Sequence, residues 1–139
     1  MPAVNRIGIF ERLKHSIQLL ASPPEVQLTL LPSFVCKADE LALDFDQWCL
    51  VALSNFRSEL TADQLLCLDA IDGSLSELTH KGSQHWTEDA VRKSAEWQAI
   101  RALASAALAS FSWPMEAPPS HAEEYVGGQE SQEQEGNTG

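Results

Sequence analysis

Positive charge is scarce in this 139-residue chain: nine Lys and Arg stand against twenty Asp and Glu, for a net charge of −11. Between residues 39 and 80 the only cation is Arg57, set among nine carboxylates, and no Lys or Arg follows Arg101. Such a surface repels phosphate backbones and anionic lipid headgroups, so the sequence argues against binding nucleic acid or a membrane. Long apolar runs are also missing, and nothing approaches the roughly 18–20 residues that a membrane span requires. The N-terminal stretch MPAVNRIGIFERLKHSIQLLAS is broken by Arg6, Glu11, Arg12, Lys14 and His15, so it has no secretory h-region. The expectation is a cytoplasmic protein.

Cysteine is sparse and unpatterned. Cys36, Cys49 and Cys67 are odd in number and lack CxxC spacing, which excludes a disulfide framework and suggests reduced, structural thiols. Catalytic and cofactor signatures are absent as well. There is no GxSxG, no glycine-rich phosphate loop, no HExxH and no EF-hand loop. A di-iron bundle needs Glu-x-x-His on each of two helices, and this sequence holds that spacing only once, at Glu77 and His80. Of the histidines, His80 and His85 flank a glycine loop and do not form a helical metal-binding pair. The expectation is therefore no cofactor, no metal and no assignable catalytic residue.

What the chain does have is helical periodicity. Ile9, Phe10, Leu13, Ile17 and Leu20 place a helix over about residues 6–21. Ser22-Pro23-Pro24-Glu25 reads as a stop followed by a new start, with Ser22 as cap, Pro23 at the first helical position and Glu25 closing a capping box. A short helix through EVQLTLL would then end before Pro32; alternation of Val26, Leu28 and Leu30 makes a strand the rival. A third helix runs from a cap at Asp39 to about Phe56, with Leu41, Phe45, Trp48, Cys49, Ala52 and Phe56 on one face. Leu43 and Leu50 fall on the opposite side, which marks this helix as the centre of the fold, buried on both sides.

Thr61 and Gln64 form a capping box for a fourth helix striped by Leu65, Leu68, Ile71, Leu75 and Leu78. Gly73 in its interior suggests a bend or a close helix contact. TEDAVRK reads as a short capped turn of helix. Ser94 then opens a last helix carrying Trp97, Ile100, Ala104, Ala107 and Phe111, ended by Ser112-Trp113-Pro114. No segment reads firmly as a strand. The fold class is all-α, a compact bundle-like domain of five or six helices. One domain spans residues 1–126, with a core over 6–113 and an extended segment over 114–126 anchored by Trp113 and Tyr125. Residues 127–139 are apolar-free and read as a disordered acidic tail.

The acids of ADELALDFDQW, residues 38–48, do not converge on a helical wheel. Glu40 and Asp44 belong to an outer, wet side. Asp46 lies between Leu43, Leu50 and Leu53 and is expected to be a semi-buried carboxylate holding a basic partner, with Arg12, Lys14 and Arg101 as candidates. Glu40, Asp44, Glu59, Asp63, Asp69, Asp72 and Glu77 make up a candidate acidic face. Together these features suggest a non-enzymatic protein that binds a basic protein partner, an inhibitor or immunity-type protein being one concrete form. The alternative is a small enzyme or metal-dependent module built on carboxylates and loop histidines. Self-association through Leu43 and Leu50 is a third reading.

Overall fold

The computed structural model describes residues 5–33 and 35–119. Among these there are six α-helices and no strand: α1 (Arg6–Ala21), α2 (Pro24–Leu30), α3 (Lys37–Phe56), α4 (Ala62–Lys81), α5 (Glu88–Lys93) and α6 (Ala95–Phe111). Two 3-10 turns, Arg57–Glu59 and Ser83–His85, follow α3 and α4. The all-α bundle read from the sequence is the fold. Residues 120–126, with Tyr125, and the proposed tail 127–139 lie outside the described residues.

Local chemistry accounts for the boundaries. The Asn5 side chain accepts from the Gly8 N–H at 3.1 Å and opens α1. Thr61 and Gln64 form the full reciprocal capping box on α4. Thr87 and Ser94 cap α5 and α6 through the Ala90 and Trp97 amides. Two starts differ from the sequence expectation. The N-cap of α3 is Cys36, three residues before Asp39, so Asp39 and Glu40 sit in the first turn, where they complement the exposed amides and the macrodipole. Ser22 caps the end of α1, donating its hydroxyl to the Gln18 carbonyl and its N–H to that of Leu19. Pro23 is then the N-cap of α2, Pro24 takes the first helical position, and Glu25 pairs with Arg92 of α5 at 3.0 Å.

The four long helices are joined edge to edge in the order α3, α1, α6, α4. Packing is extensive across α3–α1, α1–α6 and α6–α4, but α4 and α3 scarcely touch. The arrangement is a four-helix ring with one open side. Helix α5 covers α6 and α2, and Arg101 of α6 reaches both the Gln27 side chain and the Val91 carbonyl.

This order corrects the choice of central helix. Leu43 and Leu50 of α3 are 60% and 63% exposed, so α3 is buried on one side only. The central helix is α1, in which every residue from Ser16 to Ala21 is buried. Its polar members are satisfied internally: Ser16 donates to the Leu13 carbonyl at 2.8 Å, and Gln18 to that of Pro114 at 3.0 Å. The chain after α6 turns at Ser112, in the left-handed region with φ 58°. Trp113 stacks on Phe111 at 4.2 Å, Met115 accepts from Ser105, and Pro118 is buried.

Gly73 causes neither a break in α4 nor a close approach. A Cβ built on it meets nothing within 4 Å. Gly73→Ala is therefore expected to stabilise the protein by about 0.5–1 kcal/mol, the ordinary helix-interior difference, read as a higher urea midpoint with an unchanged m-value.

Candidate functional site

The open side of the ring is a groove walled by α3 and α4. Its larger part has a volume of about 790 Å³ and is lined by Asp39, Ala42, Leu43 and Asp46 from α3, Asp72, Leu75 and Thr79 from α4, and Trp86 beyond. A second part, about 350 Å³, continues between Asp46, Leu50, Leu53 and Arg57 on one side and Leu65, Leu66, Asp69 and Asp72 on the other. Asp46 and Asp72 belong to both parts and mark their junction. Residues early in α3 share a lining with residues late in α4, and the reverse holds at the other end. The two walls thus run antiparallel, as the tight connection through Arg57–Glu59 requires.

The floor and lips are apolar, while the rim carries carboxylates. Leu43 and Leu50 of α3 and Leu66 of α4 are 60–67% exposed along it. Asp39, Asp46, Asp69 and Asp72 supply negative charge, and among the described lining residues Arg57 is the one cation. Cys49 lies buried beneath the Asp46–Asp72 junction. Burial, with Asp72 and Asp46 adding to it, pushes its thiol up to about 12, so at neutral pH it stays protonated and unreactive. Cys36, by contrast, is exposed and lines the groove.

The carboxyl of Asp72 is held above its ordinary value of 3.8, first by partial shielding from water and then by the charges of Asp46 and Asp69. The folded protein therefore keeps this proton more tightly than the unfolded chain does. Stability is lost as pH rises from 3.8 through the folded value, and the cost persists at neutral pH. Asp72→Asn is accordingly expected to stabilise the protein at pH 7, the advantage vanishing below pH 3.8, in paired chemical denaturations at the two conditions.

The structure splits the seven-residue acidic face. Asp69 and Asp72 enter the groove together with Asp46 and Asp39. Glu40 and Asp44 do not; they are half-buried, each engaged with a neighbouring group, not wholly on a wet outer side. They occupy the other flank of α3, since Asp44 and Asp46 point about 160° apart at 100° per residue. On that flank Trp48 packs under the Arg12 guanidinium, 5.5 Å from the ring centre. Glu59 is paired with Arg6 at 2.6 Å. Asp63 lines a separate shallow cleft with Leu66, Cys67 and Leu103, and Glu77 is exposed about 140° around α4 from Asp72.

Asp46 itself corrects the expectation of a semi-buried carboxylate with a basic partner. It is exposed. Lys14 turns to Glu11 at 3.3 Å, Arg101 to Gln27 and the Val91 carbonyl, and Arg12 to the far flank of α3. Its apolar neighbours Leu43, Leu50 and Leu53 form groove lining instead of closed core, so water reaches the carboxylate. Among the described residues, no group of three His, Cys, Asp or Glu is placed to hold a metal ion. His85 faces Glu96 at 4.0 Å, and His80 bonds to the Ser76 carbonyl at 2.9 Å. No described helix is long and apolar enough to cross a membrane.

The fold and groove define an all-α bundle with one open, acid-rimmed side. Compared with known proteins, the chain matches no family model, no curated protein and no solved structure.

Proposed function

We propose that this is a non-enzymatic binding protein that engages a basic protein partner through the α3–α4 groove. The observation that supports the reading is the groove itself, an apolar floor rimmed by Asp39, Asp46, Asp69 and Asp72, with Arg57 the one cation among the described lining residues. Carboxylates placed around apolar surface steer a cationic partner and reject anionic ones, while the apolar area supplies affinity. An inhibitor or immunity-type role against a basic enzyme is one form such a protein takes. In the test, immobilised protein meets a lysate of its native source at about 0.05 M and about 0.5 M salt, which shortens the Debye length from about 14 Å to about 4 Å. A basic protein should be retained at low salt, released at high salt, and not retained by Asp46→Asn/Asp69→Asn/Asp72→Asn. Retention indifferent to both salt and the triple variant contradicts the proposal.

A further inference from the structure

Resting on that reading, we infer that the occupant of the α3–α4 groove is a basic amphipathic α-helix of about four turns. The groove is the one side of the four-helix ring that no helix of the described chain fills. Along α3 its lining runs from Asp39 to Leu53, which at 1.5 Å per residue is about 21 Å, the length of a fourteen-residue helix. Both walls are helices whose backbone groups are already bonded within them, so a partner cannot add as a β-strand and must be read through side chains.

The lining dictates the character of those side chains. Ala42, Leu75 and Trp86 at one end, and Leu53 and Leu65 at the other, call for an apolar stripe at i, i+3, i+4 and i+7. Asp39, Asp46, Asp69 and Asp72 call for Lys or Arg flanking that stripe on both sides. A flexible basic tail would answer the charges and leave the apolar floor wet. An uncharged helix would cover the carboxylates without pairing them, at a desolvation cost. The chain's own residues 120–139 carry five Glu and no Lys or Arg, so like charge excludes them as the occupant. A second copy docking by the same face would bring the same carboxylates together.

Calorimetry with the full chain and three synthetic peptides of about sixteen residues tests the inference. The first peptide places leucines at i, i+3, i+4 and i+7 with lysines on both flanks; the second scrambles that composition; the third replaces each lysine by glutamate. The first should bind at least about tenfold more tightly than either other, gain helical circular dichroism on binding, and weaken about tenfold against Asp46→Asn/Asp72→Asn. Those substitutions are at exposed positions, so an unchanged far-ultraviolet spectrum verifies that the variant is folded. Equal binding of the scrambled peptide overturns the helix and leaves a basic partner standing. Equal binding of the glutamate peptide overturns both, and binding of none overturns the helix.

Discussion

Trp97→Ala is expected to remove about 3–5 kcal/mol of unfolding free energy, a large part of the total stability of a domain this size. Trp97 is fully buried in the first turn of α6. Its indole N–H donates to the His85 carbonyl at 2.8 Å, and its ring meets Trp86 edge-on at 5.6 Å. Truncation opens a cavity and leaves that carbonyl without its donor, two costs that act together. Trp97→Phe separates them, because it restores most of the volume but no donor, and about 1–3 kcal/mol should then be lost. Urea denaturation of the two variants measures both. The effect extends to the groove, since Trp86 lines its end and leans on Trp97.

Gln27→Leu should cost about 2–4 kcal/mol although it nearly preserves volume. Gln27 is completely buried. Its amide nitrogen donates to the Leu19 and Leu20 carbonyls at 3.1 and 2.9 Å, in the last turn of α1, where the Ser22 N–H also serves Leu19 but Pro23 and Pro24 have no N–H to offer Leu20. Its carbonyl oxygen accepts from Arg101 at 3.2 Å. Burial already lowers the pKa of Arg101, so loss of an acceptor there is felt. Leucine strands the Leu20 carbonyl and one guanidinium N–H in the core, while the Leu19 carbonyl keeps the Ser22 N–H. The double variant Gln27→Leu/Arg101→Met should lose less than the sum of its singles, because the second change removes one of the stranded groups. A strictly additive pair in thermal or urea unfolding would show that the two side chains do not work as a unit.

The helices and their caps were legible because each rests on contacts within about four residues: Thr61 with Gln64, Thr87 with Ala90, Ser94 with Trp97. Packing order was not. The buried half of α1 hides behind Ser16 and Gln18, polar residues that bond to carbonyls of α1 itself and of Pro114. Leu43 and Leu50 misled in the opposite direction, since apolar residues on two sides of a helix mark either double burial or an open groove. Each helical wheel places Asp46 and Asp72 on a flank of its own helix. That those flanks face each other follows only from the ring order α3, α1, α6, α4, which no local pattern encodes. The separation of Asp46 from Glu40 and Asp44, by contrast, was legible, because at 100° per residue they fall on different flanks of α3.

The most direct test of a groove that selects a basic helix is a charge reversal, Asp46→Lys/Asp72→Lys, at the two carboxylates shared by both parts of the groove. Binding of the lysine-flanked and glutamate-flanked amphipathic peptides is measured against both proteins at low salt. The expected result is an inverted preference, with the reversed protein taking the glutamate peptide at least about tenfold more tightly than the lysine one. A folded variant that still prefers the lysine peptide as strongly as the original protein would contradict the groove as the binding site.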